Sequence, residues 1–418
     1  MGNKLIVVSI DALVYEDLEY LKTRPNFQKL LASCAQVKRV KSIYPTLTYP
    51  CHATMATGCF PTKHGVLNNT CVIPGVEDTP WLWYHDNYQC RDLIDAAKEK
   101  GLTTAIIGWP TMGNHPNADY IVAEIAGTKA KTAQEFRRDY LLTGTTEELW
   151  EAVGAPNVHY RTYHKSPHYF NASAACDIIR LYAPDLVMIH LGEPDHARHA
   201  HGVFSPLLEP ALDACEWALG QLMDAIQRSG YAECTNLVIT ADHGHLDTTR
   251  SCLPNALFAE NGFLTLDEQN QVTDWRAWCK SVGMSADVFV KNEADIPLVG
   301  QLLEDHMGQG YSRIFTQQEA AQEGYDGPFH FVLETDDTTK FLNGWTGPWL
   351  TEYGEVHGCH GYHPDKGPRP TILAMGPAFR QGAVLENAHL TDGAPTWATV
   401  LGVALPDADG KPIFDILK

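Results

Sequence analysis

The stretch YPTLTYPCHATMATG (residues 44–58) has the pattern of a strand end, a sharp turn and the first turns of a helix. Pro50 suits the start of a helix, because the N–H that proline lacks would be unpaired there anyway. Thr48 is therefore predicted at or next to the N-cap, a position that prefers small polar residues. Its hydroxyl would face free backbone N–H groups and the positive end of the helix dipole, where an anion such as phosphate can bind. A lone threonine here is usually only a cap, so its role depends on the rest of the chain.

The length of 418 residues is enough to bury a large core. A hydrophobic content of 44% and a charged content of 20% are typical of a globular enzyme. We predict a single α/β domain over residues 1–418, with a mostly parallel central sheet and helices on both faces. Two segments lose the clean alternation of strands and helices and are predicted to be inserted caps, at about 111–168 and 263–345.

The formal net charge of -20 argues against binding to a nucleic-acid scaffold and disfavours an anionic membrane surface. The apolar run Leu5–Ile10 is too short to span a membrane, and the chain start lacks the features of a signal peptide. Eleven cysteines, odd in number and without a Cys-x-x-Cys pair, indicate free thiols in a reducing compartment. We therefore expect a cytoplasmic protein, compatible with a homo-oligomer.

An aspartate follows each of three apolar runs that read as buried strands. The runs are Leu5–Ile10, Asp185–Leu191 and Thr235–Thr240, and the aspartates are Asp11, Asp195 and Asp242. Because the carboxyl ends of parallel strands share one edge of a sheet, the three carboxylates are predicted to converge there.

Histidines accompany these aspartates in the sequence. His199 lies four residues after Asp195, so both share a face if the segment is helical. His243 follows Asp242 directly, and His360 belongs to a Gly- and His-rich stretch, 357–364, which is predicted to be a loop. Mixed Asp and His ligation suits zinc better than iron or manganese. The donors are too many for one tetrahedral ion but fit two ions about 3.5–4 Å apart, as in two-metal phosphoryl transfer.

Periodicity predicts the remaining elements. Helices are expected at 25–35, 92–100, 147–153, 174–182, 205–228, 296–307 and 395–401, and further strands at 36–43, 103–107, 288–290, 329–333 and 371–375. The 205–228 helix carries an apolar stripe and is interpreted as core packing without chemistry.

The order of the Asp, Thr and His residues resembles the alkaline phosphatase superfamily, and more closely its nucleotide pyrophosphatase/phosphodiesterase branch. The resemblance runs from Val8 to the C-terminus, interrupted by the two insertions. It is carried by Pro45-Thr46-x-Thr48-Tyr49-Pro50-x-His52, Asn69 after His64-Gly65, Glu193-Pro194-Asp195, His360-Gly361-Tyr362, Gly376-Pro377-Ala378-Phe379 and Asp409-Gly410-Lys411-Pro412.

The resemblance implies an alkaline phosphatase-like fold and two divalent ions, most simply zinc. The implied ligands are Asp195, His199 and His360 for one ion, and Asp11, Asp242, His243 and the Thr48 oxygen for the other. Thr48 would be the nucleophile and form a phospho-threonine intermediate, while Asn69 would donate a hydrogen bond to a non-bridging phosphate oxygen. The implied reaction is hydrolysis of phosphodiester or pyrophosphate bonds in a nucleotide-like or other small organic phosphate ester.

Some positions depart from the family pattern. Cys51 stands where Asn is usual, and His363 stands where Asp or Asn is usual. Five further imidazoles are predicted to lie behind the ligands or at the surface: His196, His201, His245, His357 and His363. His52 matches a family position and is interpreted as structural.

The substrate remains open among several esters. No Arg or Lys occurs between Lys41 and Lys63, which favours a phosphate with one charge and an organic group, as in a diester. The aromatic residues 81–84 and Trp109 are either the pocket for that group or part of the core.

Alternatives are a phosphonate hydrolase, such as one acting on phosphonoacetate, or a phosphomonoesterase. A sulfatase is disfavoured, because residues 59–63 (CFPTK) end in Lys63 where the sulfatase motif has Arg, and no Cys or Ser stands at position 48. A metal-binding protein without turnover would need neither Thr48 nor Asn69. A nucleotide-binding α/β domain is disfavoured because no Gly-rich phosphate loop follows the first strand.

Overall fold

A large eight-stranded sheet runs through the computed structural model, which describes residues 2–418. The strands of the protein, in chain order, are β1 (Lys4–Ile10), β2 (Ala35–Lys41), β3 (Thr104–Ile107), β4 (Tyr120–Val122), β5 (Leu186–Leu191), β6 (Thr235–Thr240), β7 (Leu246–Cys252), β8 (Leu264–Leu266), β9 (Val272–Trp275), β10 (Ala277–Ser281), β11 (Ser285–Val290), β12 (Tyr311–Thr316), β13 (Phe331–Thr335), β14 (Thr339–Phe341), β15 (Leu350–Cys359), β16 (Ile372–Met375) and β17 (Val384–His389).

Helices connect most of these strands. They are α1 (Leu18–Leu21), α2 (Pro25–Leu31), α3 (Thr48–Thr57), α4 (Pro61–His64), α5 (Leu93–Glu99), α6 (Ala133–Leu142), α7 (Glu147–Leu149), α8 (Ala155–Asn157), α9 (His159–Thr162), α10 (Pro167–Tyr182), α11 (Asp195–His201), α12 (Glu209–Arg228), α13 (Pro254–Glu260), α14 (Ile296–Asp305), α15 (Gln317–Gln322) and α16 (Gly393–Leu401). Within residues 2–418, no helix is both long enough and apolar enough to cross a bilayer.

The central sheet is mostly parallel, as predicted. Its strand order is β17-β2-β16-β6-β1-β5-β3-β4, and only β16 runs antiparallel to its neighbours. Registers such as Ile10↔Leu191 and Ser9↔Thr240 align the carboxyl ends of β1, β5 and β6. The residues that follow these three strands therefore share one edge of the sheet.

Both faces of the sheet are buried, which explains why its strands read as continuous apolar runs. In β1, Ile6, Val8 and Ile10 pack into a core with residues of α10 and α12. Leu5 and Val7 point to the other face, into a core with residues of α3, α5 and α16. Each fully buried side chain of this kind contributes about 1.5–3 kcal/mol. The two faces together hold the strand ends in fixed positions.

The two predicted insertions contain structure of their own. Within 263–345, strands β10, β11, β13 and β12 form a separate sheet whose adjoining strands are antiparallel, with its own apolar core. Within 111–168, four helices (α6 to α9) form where only 147–153 was predicted to be helical. The segment 111–168, which was predicted to be an inserted cap, also adds a strand to the central sheet, where β4 pairs with β3. The single-domain assignment stays a prediction.

Two predicted boundaries are also corrected. Helix α10 begins at Pro167 instead of residue 174, because Ser166 caps its first turn by accepting from the Tyr169 N–H. Residues 357–359 are not a loop, since they are the end of β15, paired with β7. The loop that carries the remaining glycine and histidines begins at His360. The 205–228 helix forms as predicted in α12, after one 3-10 turn capped by Ser205.

Candidate active site

The strand-end aspartates meet at the carboxyl edge of the central sheet. Asp11 follows β1 directly, Asp242 lies two residues beyond β6, and Asp195 begins α11 after β5. The backbone N–H of Ala12 donates to Asp242 Oδ1 at 3.1 Å, which ties the ends of β1 and β6 together. All three aspartates are buried.

Thr48 is the first residue of α3, and the N-cap is Leu47. The threonine side chain does not cap the helix. Its Oγ1 lies instead 3.2 Å from His243 Nε2, with 8% of the residue exposed. The prediction that this hydroxyl faces free helix N–H groups is therefore wrong, and the hydroxyl faces the acidic and imidazole side chains at the strand ends.

Asn69 takes up the next N–H of that helix. The Tyr49 N–H donates to Asn69 Oδ1 at 2.9 Å, and Pro50 has no N–H to offer. Because the carbonyl oxygen of Asn69 is occupied, its NH₂ group is the part left to donate. The NH₂ group of Asn69 is therefore the hydrogen-bond donor next to the start of α3. Asn69 lines the same cavity as Thr48.

The first group of possible metal ligands is Asp11, Asp242 and His243, beside Thr48. His243 Nε2 lies 3.1 Å from Asp242 Oδ2 and 3.6 Å from Asp11 Oδ1. Donors on a tetrahedral zinc ion, with bonds of about 2.0–2.2 Å, are about 3.3–3.5 Å apart, so these spacings fit one ion.

Buried oxygens without partners support the same fit. Asp11 Oδ1 and Asp242 Oδ2 are buried and accept no hydrogen bond. Burial raises the pKa of Asp242 to about 7, and burial, reinforced by Asp195 and Asp242, raises the pKa of Asp11. Unpaired buried carboxylate oxygens are strongly unfavourable unless a cation binds them.

The second group is Asp195, His199, His245 and His360. His199 donates through Nδ1 to Gly358 O at 2.9 Å, and His360 donates through Nδ1 to Thr46 O at 3.0 Å. A neutral imidazole that donates through Nδ1 keeps its lone pair on Nε2. These two Nε2 atoms lie 3.5 and 3.6 Å from Asp195 Oδ1, again the spacing of ligands on one ion.

His245 plays a different part and was missed as a site residue in the sequence. It is fully buried, and its Nε2 lies 2.7 Å from Asp195 Oδ1, which is hydrogen-bond length. This spacing is shorter than that of ligands around one tetrahedral ion. His245 therefore holds the Asp195 carboxylate in place. Of the two positions predicted for His245, the one behind the ligands agrees with the structure and the surface position does not.

The two groups are in direct contact. The rings of His243 and His360 stack with centroids 3.9 Å apart and an interplanar angle of 13°. Burial lowers the pKa of His360 to about 4 and lowers that of His243 as well. Both imidazoles are therefore neutral near pH 7, the state in which a ring nitrogen binds a metal.

His190 is a second neighbour that was missed. It is buried in β5, and its Nε2 donates to Asp11 Oδ2 at 3.0 Å while Nδ1 lies 3.2 Å from Gly108 O and 3.7 Å from Glu124 Oε2. Burial opposes its charged form, but the bonds to Asp11 and Glu124 outweigh this and raise the pKa of His190. The signal in the sequence was a histidine inside a strand buried on both faces, where a polar side chain needs a partner.

A third Asp/His group, formed by His85, Asp92, Asp95 and His115, does not fit a metal. The Asn117 N–H donates to His115 Nδ1 at 3.1 Å, so the proton of that ring is on Nε2. His115 Nε2 and His85 Nε2 each lie 3.0 Å from Asp92 Oδ2 and donate to it. The group is a hydrogen-bonded clamp at the start of α5.

A cavity of about 920 Å³ opens onto the site. Its lining includes Asp11, Thr48, Asn69, Asp195, His199 and His360. Trp81 also lines it and packs against the Tyr49 ring with centroids 5.4 Å apart. Trp109 is fully buried and belongs to the core.

The two positions that depart from the family pattern lie outside the cavity lining. Cys51 is buried with its Sγ 3.3 Å from Ser42 Oγ. His363 packs against the Tyr44 ring and lies 3.3 Å from Glu323 Oε2. Among the described residues, neither side chain forms a hydrogen bond or an ion pair with the two groups of possible ligands.

Comparison with known proteins assigns the chain to a family. It has the alkaline phosphatase-like α/β fold that the sequence predicted. The model of the family "Type I phosphodiesterase / nucleotide pyrophosphatase" matches residues 5–363, and the chain belongs to this family.

Curated relatives share part or most of its length. The Rattus norvegicus ectonucleotide pyrophosphatase/phosphodiesterase family member 3 is 28% identical over 253 residues, which are 59% of this chain and 25% of the relative. The chain thus spans about a quarter of the length of that relative. Homo sapiens family member 5 is 24% identical over 421 aligned positions, covering 98% of this chain and 76% of the relative.

Solved structures show the same fold. Murine ectonucleotide pyrophosphatase/phosphodiesterase 5 matches with a TM-score of 0.70 and 18% identity over 99% of this chain and 100% of that chain. An inactive threonine-to-alanine variant of the murine protein, in complex with AMP, matches with a TM-score of 0.70 and 18% identity over 100% of both chains.

Proposed function

We propose that the protein is a two-metal hydrolase that cleaves phosphodiester or pyrophosphate bonds of nucleotide-like substrates through a phospho-threonine intermediate on Thr48. The observation that carries this proposal is the position of the Thr48 hydroxyl, 3.2 Å from His243 Nε2 and beside the unpaired oxygens of Asp11 and Asp242. Family membership and the AMP complex of the murine relative support a nucleotide substrate.

Two ions fit the donor sets. Asp195, His199 and His360 would hold one, while Asp11, Asp242, His243 and the Thr48 oxygen would hold the other. The nitrogen and oxygen donors suit zinc. When bound, such ions lower the pKa of a hydroxyl and neutralise charge on the phosphoryl oxygens.

The side chains of the site have different roles in the reaction. Thr48 Oγ1 forms the bond to phosphorus, and the leaving group departs from the opposite side. Water then hydrolyses the phospho-threonine ester and regenerates the hydroxyl. The NH₂ group of Asn69 donates to a non-bridging oxygen, where negative charge builds up in the transition state. His245 keeps Asp195 oriented, and His190 does the same for Asp11 through its 3.0 Å hydrogen bond.

The eleven cysteines are all free in residues 2–418. This supports our proposal of a reducing compartment, for which the cytoplasm is the simplest candidate.

A panel of p-nitrophenyl esters tests the proposed reaction. We expect thymidine 5′-(p-nitrophenyl phosphate) to be hydrolysed with a kcat/KM at least about 10-fold above that of p-nitrophenyl phosphate, because the monoester lacks the nucleoside group for which the cavity of about 920 Å³ has room. A phosphonate and a sulfate ester complete the panel, which is read by p-nitrophenol release with and without zinc. A preference for the monoester or the phosphonate would contradict the diester assignment and favour one of the alternatives.

Replacing His245 with alanine tests how the second group is held. We expect the affinity for an ion at Asp195 to fall by about 10–100-fold, the usual effect of removing a hydrogen-bond partner of a metal ligand. Competition with a metallochromic chelator measures this without any assay of activity. His201→Ala, which removes an exposed histidine from the end of α11, is the matched control. Equal affinities in both variants would show that His245 has no role in metal binding.

A further inference from the structure

Three unpaired cations line the cavity, and together they are called the cationic wall. They are Lys131, Arg161 and Lys165, and within residues 2–418 no carboxylate lies within 4.0 Å of any of the three. Other cations of the same segment are ion-paired: Lys129 with Asp78, Arg137 with Glu147 and Arg138 with Asp139. The chain has 51 acidic and 31 basic residues, so acidic partners are not scarce. Cations left without one in a ligand cavity indicate a group that arrives with the substrate.

Arg161 is held in a defined position. Its guanidinium carbon lies 4.9 Å from the centroid of the Phe136 ring, and both residues line the cavity. Stacking on an aromatic ring orients the planar guanidinium while leaving its N–H groups free at the edges. Such an arrangement suits bidentate recognition of a phosphate or a carboxylate.

This wall stands at the same sheet edge as Thr48. Helix α10, which starts just after Lys165, runs back along β5, and its Asn171 Nδ2 donates to His190 O at 2.9 Å. The Glu193 N–H donates to His168 Nδ1 at 3.3 Å, so the start of α10 contacts the segment that leads to Asp195. The three cations and Thr48 therefore line the same cavity.

The acidic residues of the cavity do not cancel this charge. Asp11 and Asp195 belong to the proposed metal groups. Glu124, the remaining carboxylate among the lining residues, lies 3.7 Å from His190 Nδ1 and forms no ion pair with the three cations. Among the described residues, the positive charge of Lys131, Arg161 and Lys165 thus has no carboxylate within 4.0 Å.

We propose that these three cations select a substrate whose organic group carries a second anionic group, a phosphate or a carboxylate, besides the scissile phosphate. The inference rests on the proposed function, since it takes the scissile phosphate to bind at Thr48. It deepens that function because it assigns the selection of a second anionic group to the inserted segment. The nucleophile segment has no cation that could make this selection.

Two substrates with the same leaving group test the proposal. They are thymidine 5′-(p-nitrophenyl phosphate) and its 3′-phosphorylated form, thymidine 3′-phosphate 5′-(p-nitrophenyl phosphate). We expect the 3′-phosphate to raise kcat/KM by at least about 10-fold at low ionic strength, mainly through KM, and the gain to shrink as salt rises. A ratio near one at low salt would overturn the proposal while leaving the diesterase function intact.

Inhibitor binding distinguishes the two anionic groups and does not depend on turnover. The probes are AMP, adenosine 3′,5′-bisphosphate and 3′-O-succinyl-AMP, measured by calorimetry with the zinc-loaded protein. Tighter binding of both modified nucleotides than of AMP assigns the wall to any anion, and tighter binding of the bisphosphate alone assigns it to phosphate. If neither binds more tightly than AMP, the proposal is wrong. If neither thymidine ester is cleaved although AMP binds, the proposed reaction fails independently.

Variants identify the residues responsible. Arg161→Gln is expected to lower the ratio of kcat/KM between the two thymidine esters by about 5-fold or more, and Arg161→Lys to retain part of it, because charge is kept and the bidentate fork is lost. Lys131→Gln and Lys165→Gln should each lower it less, since exposed charges are screened. Lys129→Gln, which removes an ion-paired lysine outside the cavity, is the control and should leave kcat/KM for both esters unchanged. Persistence of the ratio in the triple variant of Lys131, Arg161 and Lys165 would overturn the assignment.

Discussion

Thr48→Ala is expected to lower kcat for thymidine 5′-(p-nitrophenyl phosphate) by at least about 10³-fold, the scale seen when a nucleophile is removed. The reason is geometric. Thr48 Oγ1 is the hydroxyl that lies 3.2 Å from His243 Nε2, among the donors of the first proposed metal group. Acid quenching during turnover of a phosphorus-labelled substrate should place the label on the peptide that contains Thr48 in the natural protein and on no peptide in the variant.

Two controls separate chemistry from folding. Thr48→Ser keeps a hydroxyl and should retain measurable turnover and labelling. Thr57→Ala removes a hydroxyl at the other end of α3, where Thr57 Oγ1 donates to Ala53 O at 2.8 Å, and should reduce stability by about 1 kcal/mol without changing the chemical step. Full activity of Thr48→Ala, or label on another residue, would rule out the phospho-threonine mechanism.

The part of the site that follows buried strands could be predicted from the sequence. Strands covered on both faces must be apolar along their whole length, so β1, β5 and β6 stand out, and a carboxylate placed at their ends has one sheet edge to occupy. The observed registers between β1 and its two neighbours place Asp11 and Asp242 side by side, with the start of α11 next to them. Strand order along the sheet was not needed to make this prediction.

The partners of these residues could not be predicted in the same way. The role of His245 depends on which of its neighbours its ring reaches, and a spacing of two residues after His243 gives no such information. The clamp of His85 and His115 on Asp92 has the composition of a metal site, and only the direction of the Asn117 N–H excludes it. Hydrogen-bond direction is a property of the folded backbone, which periodicity does not describe.

The three cations of the cavity show a third limit of prediction from the sequence. Lys131, Arg161 and Lys165 lie far from the nucleophile segment in sequence, inside a region without clear periodicity. Their common feature, within residues 2–418, is that no carboxylate lies within 4.0 Å of them. A search of the nucleophile segment for cations therefore found none, although the folded cavity contains three.

Removal of bound ions is the second large effect that we expect. Dialysis against a chelator should abolish hydrolysis and lower the thermal midpoint, and two equivalents of zinc per chain should restore both. Without ions, Asp11 Oδ1 and Asp242 Oδ2 remain buried without a partner, and burial together with the nearby Asp195 carboxylate disfavours the charged form of Asp11. With free zinc at 100 to 1,000 times its dissociation constant, binding contributes about 2.7–4.1 kcal/mol per site to the free energy of unfolding.

The stoichiometry of binding makes this prediction specific to the two groups at the strand ends. Elemental analysis of the zinc-loaded protein should give about two ions per chain, as in other two-metal sites. Asp242→Asn should lower that number by about one, because it weakens only the group with Asp11 and His243. His85→Gln is the matched control and should leave it unchanged, since His85 donates to Asp92 and its partner His115 carries its proton on Nε2. Loss of an ion in His85→Gln would mean that the third group binds metal, and unchanged activity after chelation would exclude metal-assisted hydrolysis altogether.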